Sequence, residues 1–219
     1  MRMVNRRNTS LPALLASAPL RTLRAEDAGV AYAFPGPELA RLADRGLLQR
    51  VAHGYYVVVP QDMVGREWMP SLEATAAGIA SAIYGPNHAV LMGISAARML
   101  GAIPRALATA VVAVPGQHRP IRLKDRPSIV RFVKRDTDRL DAERVETPLG
   151  PAVVTTPEQT LLDLAHRPHL GDAADEVPAA IRMLYQRSDH QRLEALAAEQ
   201  RRTASLRRAQ SWVATEHER

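Results

Sequence analysis

Apolar positions in the first third of the chain repeat with a helical period and then switch to strand-like alternation. Leu11 to Ala18 supports a short helix over 10–18, with Ser10 as its N-cap and Pro12 in the first turn. Leu20, Leu23 and Ala28 predict a second short helix, ended by Gly29, before Phe34-Pro35-Gly36-Pro37 breaks the chain. From Glu38 to Arg45 a third helix places Leu39, Leu42 and Ala43 on one face, and Gly46 stops it. Leu47–Val51 and Tyr55–Val59 then flank a turn at Ala52-His53-Gly54, a hairpin closed by Pro60. Three helices followed by a hairpin are the plan of a winged helix-turn-helix, an elaboration of a common DNA-docking motif.

Residues 61–71 read as a linker. Beyond it the periodicity predicts a helix over 71–83, a short strand over 89–92, a helix over 95–100, and strands over 109–114 and 128–133. Val153-Val154 ends the strand-bearing part, and helices follow over 157–166, 173–187, 189–200 and 203–215. Thr156-Pro157-Glu158-Gln159 is a strong helix start: Thr156 caps, Pro157 sits at the first position and Gln159 can complete a capping box. The expected fold class is mainly α with small β (α+β). A winged helix-turn-helix over 1–62 is followed by an α+β partner-binding domain over 63–219 with a helical C-terminal tail.

Charge sharpens this division. Residues 1–60 hold eight arginines against four acids, whereas 61–219 hold 21 basic residues against 19 acidic ones. All but Lys124 and Lys134 of the 29 basic residues are arginine, whose planar fork suits phosphate and guanine. The absence of cysteine excludes disulfides and thiolate chemistry and permits a reducing cytoplasm. No apolar run approaches the ~18 residues of a membrane span. Arg6-Arg7 followed by Leu11 to Leu20 imitates a signal peptide only faintly, because its apolar stretch is short and interrupted by Pro12. A cytoplasmic location is the expectation.

On the third helix, Arg41 and Arg45 lie opposite the apolar face, and with Arg50, His53 and Tyr55 of the hairpin they form a candidate DNA-contacting set. One of the adjacent Tyr55 and Tyr56 must face inward, since strand neighbours alternate sides. The plainer reading is a solvated helix face on which Arg41 pairs with Glu38 or Asp44. A second basic feature runs from Arg119 to Arg135: Arg119, Arg122, Lys124, Arg126, Arg131, Lys134 and Arg135 face only Asp125 in sequence, a net of +6. Arg119, Arg122, Lys124, Arg126 and Arg131 are candidates for binding an acidic partner or more DNA. Five acids in 136–146 are the alternative, an internal cover. Arg201-Arg202 and Arg207-Arg208 read as a solvated helix, and Asp163 as a surface or cap-supporting carboxylate.

Enzyme motifs are missing. The chain has no Gly-Lys-Ser/Thr phosphate loop and no His-Glu-x-x-His. His166 and His169 flank Arg167-Pro168, a poor spacing for two metal ligands. Arg122 and Phe132 occupy the positions two before the lysines, so the Asp/Glu-x-Lys nuclease ending fails as well. No catalytic residue, metal or cofactor is assigned.

Three segments, in order, resemble the AbiE-type (AbiEi) antitoxins of type IV toxin–antitoxin systems. Leu42-Ala43-Asp44-Arg45-Gly46-Leu47-Leu48-Gln49-Arg50-Val51-Ala52-His53-Gly54-Tyr55-Tyr56 is similar to the family's winged-helix signature. Val90-Leu91-Met92-Gly93-Ile94-Ser95-Ala96-Ala97 and Thr155-Thr156-Pro157-Glu158-Gln159-Thr160-Leu161-Leu162-Asp163-Leu164 are similar to its later segments. Between Val30 and Gly46 the chain is about four residues longer than the family pattern, at Phe34–Pro37, which favours Arg41 and Arg45 over Tyr32 as groove-facing residues. The resemblance implies two tasks: repression of the protein's own operon at inverted repeats, as a monomer or a dimer on DNA, and neutralisation of a cognate nucleotidyltransferase toxin. The competing readings are a winged-helix regulator with a ligand-binding or dimerisation domain, and an enzyme that modifies the toxin.

Overall fold

Leu15, Leu23, Leu39, Leu42, Leu48, Tyr56 and Val58 close on one another as a small N-terminal core. The computed structural model describes residues 13–214; the expected Ser10 cap and Pro12 lie outside them. Around the small core run α1 (Ala13–Ala16), β1 (Thr22–Arg24), α2 (Pro35–Asp44), β2 (Leu48–Ala52) and β3 (Tyr55–Val58), with 3-10 turns at Pro19–Arg21 and Asp27–Val30.

The chain from Leu20 to Ala28 is not the expected helix. Leu20 and Arg21 adopt left-handed φ angles of 47° and 51°, which stop the first 3-10 turn. Thr22, Leu23 and Arg24 then pair antiparallel with Val57, Tyr56 and Tyr55. Docking on an existing hairpin satisfies backbone groups that so short a helix would leave open, and gives a sheet of order β1-β3-β2. α2 begins earlier than expected. Pro35 takes a first-turn position, where its missing N–H has no helical partner to lose, so Phe34–Pro37 opens the helix instead of breaking the chain. Gly46, at φ 71°, ends this stretch, and Gly54, at φ 78°, makes the wing turn.

Ser71 caps α3 (Leu72–Tyr84), its Oγ accepting the Ala74 N–H at 3.2 Å. Then come β4 (Val90–Leu91), α4 (Ile94–Met99), β5 (Thr109–Val114), β6 (Ile121–Arg122), β7 (Ile129–Lys134), β8 (Ala142–Val145) and β9 (Ala152–Thr155). They form a mixed sheet of order β6-β7-β5-β4-β9-β8. β5 is buried throughout, as its unbroken apolar run implies, and it pairs in parallel with β7. The two edges, β6 and β8, were not expected: both are short and charged, the usual protection of a sheet edge, and carry little apolar signal. α5 (Pro157–His166), α6 (Val177–Arg187), α7 (His190–Glu199) and α8 (Thr203–Ala214) complete the α+β fold. Thr156 caps α5 as expected, but Gln159 does not close the capping box. Its side-chain amide exchanges hydrogen bonds of 3.2 and 2.6 Å with Gln200 after α7.

The larger core crosses residue 62. Leu20, Val51, Ala52 and Val57 join Ala74, Ala77, Leu91, Val112 and Leu161 in one cluster. Gly78 of α3 is required there, since a Cβ would collide with Thr22 Oγ1. On the wing's outer side the Lys124 N–H donates to the Val51 carbonyl at 2.8 Å, and Ala52 bridges Leu123. No helix among the described residues is long and apolar enough to cross a membrane.

Candidate nucleic-acid interface

α2 buries Leu39 and Leu42 completely, which turns Arg41 and Arg45 to the exposed side. Arg41 Nη2 meets Glu38 Oε2 at 2.6 Å, an i,i+3 pair with the arginine side chain 54% exposed. Such a pair contributes about 0–1 kcal/mol, so a phosphate can displace it. On the wing, Arg50 is exposed and its Nη2 donates to Nδ1 of His53, exposed at the turn, at 3.4 Å. Tyr56 enters the small core. Tyr55 does not face freely outward either: it packs against the larger core. Burial chiefly raises the pKa of its hydroxyl, with Arg24 pulling the other way.

The basic window divides by burial. Arg119, Arg122 and Lys124 are exposed and, among the described residues, have no ion-pair partner. Arg126 is not a solvated cation: its side chain is 13% exposed and pairs at 2.9 Å with Asp125, which also accepts from Gln49 Nε2 of β2 at 3.1 Å. Arg131 pairs with Asp172 at 2.9 Å and Arg135 with Asp163 at 3.1 Å. These acids lie outside 136–146, so the expected internal cover is not the one formed. The reason is topological: part of the acidic stretch becomes β8, at the opposite edge of the sheet from β6 and β7. The hydrogen bond from Lys124 to Val51 instead brings the exposed part of the window alongside the wing.

Asp163 is neither a surface nor a capping carboxylate. Its side chain is 1% exposed, and Oδ1 accepts from Arg135 Nη1 at 3.1 Å and Arg202 Nη1 at 3.4 Å. Burial raises its pKa against the opposing pull of Arg135 and Arg202. Arg202 correspondingly leaves the solvated helix expected of it, whereas Arg208 stays exposed, with its Nη1 donating to the Ala165 carbonyl at 2.8 Å. The sequence carried one signal for this cluster, a lone acid inside the apolar run Leu161-Leu162-Asp163-Leu164-Ala165. Ser205 Oγ lies 3.4 Å from His166 Nδ1, but the Asp163 carboxylate is held by arginines, so no Ser-His-Asp relay is assembled there.

A helix-and-wing module backed by a larger mixed sheet defines an α+β protein with a basic N-terminal face. The chain belongs to the AbiEi antitoxin family: the family's AbiEi antitoxin C-terminal domain matches residues 88–213. It is therefore an antitoxin of a toxin–antitoxin system, a regulator in kind, with a toxin as its partner. The match spans β4 to α8 and leaves the helix-and-wing module outside. The fold is also similar to the crystal structure of the RV2827C protein from Mycobacterium tuberculosis, with a TM-score of 0.59 at 20% identity, over 92% of this chain and 74% of that one. No curated protein matches the chain.

Proposed function

We propose that this antitoxin neutralises a nucleotidyltransferase toxin and represses its own operon by binding inverted repeats in operator DNA. In this reading residues 1–62 bind the DNA in the cytoplasm, with Arg122 and Lys124 at their flank, and the rest of residues 63–219 holds the toxin. One observation carries the DNA half: exposed cations from three segments lie on neighbouring elements. Arg41 comes from α2 and Arg45 from its C-cap, Arg50 from the wing beside the exposed His53 ring, and Arg122 and Lys124 from the segment joined to the wing at Val51. Arginine on a helix beside a wing suits base edges and phosphates at once, and cations flanking the wing extend the phosphate track. The toxin half rests on family membership, and the choice of a nucleotidyltransferase on the sequence resemblance. Arg119, exposed in the same window, suits an acidic partner surface.

The test is binding of the full chain to the DNA upstream of its gene, titrated against salt. Affinity is expected to fall steeply, by about 0.9 log units per log unit of salt for each phosphate contacted. Arg41→Ala and Arg45→Ala are each expected to weaken binding by about 1–3 kcal/mol if they read bases. Unchanged affinity in the double variant, with its circular dichroism intact, contradicts the assignment of α2.

A further inference from the structure

A pocket of about 390 Å³ is lined mostly by charged groups. It lies where the end of β7 and the 3-10 turn Thr137–Arg139 meet the corner between α7 and α8. Arg135, Arg139, Arg201 and Arg202 line it together with Asp136 and Glu199, and Leu140 is the one apolar residue of the lining.

The charges in this wall do not balance locally. The buried Asp163 carboxylate serves two guanidinium groups, those of Arg135 and Arg202, so one positive charge is left over at a place where Arg202 is 14% exposed. An under-compensated charge out of water is costly, and a bound anion removes that cost. Crowding of like charge is visible in the neighbours. Burial lowers the pKa of Arg202 against the opposing pull of Asp163, and nearby Arg135 and Arg167 lower it further. The pKa of His166 is likewise pushed down, by burial first and then by Arg202, Arg167, Arg135 and Arg208. Arg201 is exposed in a left-handed conformation, φ 55°, and has no ion-pair partner among the described residues. Arg139 reaches Glu199 only at 3.9 Å, with both side chains mostly exposed.

We propose that this pocket binds the di- or triphosphate chain of a small nucleotide, with Arg135 and Arg202 as its fixed wall and Arg139 and Arg201 as the arms that close on the ligand. Guanidinium forks donate paired hydrogen bonds that match phosphate oxygens. Asp163 supplies the pre-organisation, because two of the four forks are already held before a ligand arrives. The net charge of the lining is positive despite Asp136 and Glu199, and a polyanion competes effectively for Arg139 against its loose contact with Glu199. With Leu140 the one apolar residue of the lining, recognition falls on the phosphates more than on the base. A recessed pocket of this volume suits a small ligand better than a nucleic-acid backbone or a protein surface.

The experiment is calorimetric titration of the full chain with sodium pyrophosphate, ADP and ATP at constant ionic strength. Saturable binding is expected for all three. Arg201→Glu and Arg139→Glu alter exposed side chains, so the fold is retained, and each is expected to weaken binding by about tenfold or more. Arg207→Glu, at an exposed position outside this pocket and outside the DNA face, is expected to leave it unchanged. Absence of saturable binding up to about 10 mM ligand, weaker than any useful affinity, overturns the proposal. So does binding that neither Arg201→Glu nor Arg139→Glu moves. Binding of poly-glutamate that depends on the same two arginines, without binding of pyrophosphate, overturns it in favour of an acidic protein partner.

Discussion

Gly78 shows how tightly the helix-and-wing module is fitted to the rest of the chain. Thr22 Oγ1 fills the space a Cβ would need, and it is held there by donating to the Leu20 carbonyl at 2.9 Å. Gly78→Ala is therefore expected to lower stability by about 1–3 kcal/mol, as overpacking does, measured as a shift in urea midpoint at unchanged slope. An unshifted midpoint contradicts the close approach of α3 to β1. His166 gives a second test at this scale. Burial and four neighbouring arginines hold its folded pKa below the ordinary 6.5. The unfolded chain then takes up the proton first, so stability is lost as pH falls from about 6.5 towards the folded pKa. Melting curves between pH 7.5 and about 5 are expected to fall more for the native chain than for His166→Gln; parallel curves contradict the crowded-cation reading. Among individual residues, Arg41 and Arg45 were legible in the sequence because Leu39 and Leu42 fix the buried face of their helix. Asp163 and Arg202 were not, because their partners come from distant segments and no local spacing records such a meeting.

At the scale of elements, what the periodicity could specify was legible. β5 over Thr109–Val114 and α5 over Pro157–His166 coincide with the expected boundaries, since an unbroken apolar run and a Thr-Pro start are local signals. β1 was misread as helix because three residues cannot display a period, and only pairing with β3 decides their conformation. β6 and β8 were missed because edge strands take their order from the neighbour they pair with. The contact between the wing and the basic window is of the same kind. Lys124 reads as one more exposed cation, yet its N–H closes the wing's outer edge on Val51. Lys124→Pro removes that donor and is expected to cost about 1 kcal/mol and to weaken operator binding, because the wing loses its support. A companion Lys124→Ala keeps the backbone donor and loses only the charge. Thermal melting separates the two: equal stability of the two variants contradicts a structural role for this hydrogen bond.

Across the whole molecule, one apolar core joins Leu20, Val51 and Val57 of the N-terminal module to α3 and the six-stranded sheet, while the smaller core holds α2 and the wing together. That arrangement sets α2 on a rigid base and leaves its arginine face outward. The proposed division of labour therefore needs no separation of the chain into independent halves. Repression is expected to depend on the arginine face of α2, and neutralisation on the region matching the AbiEi antitoxin C-terminal domain. The most direct test is one strain carrying the operon promoter fused to a reporter, with the adjacent toxin gene under separate induction and the antitoxin supplied either native or as Arg41→Ala/Arg45→Ala. The double variant is expected to lose repression while still rescuing growth from the toxin at matched protein level. Full repression by the double variant contradicts the reading, and so does loss of rescue together with repression in a variant that melts like the native chain.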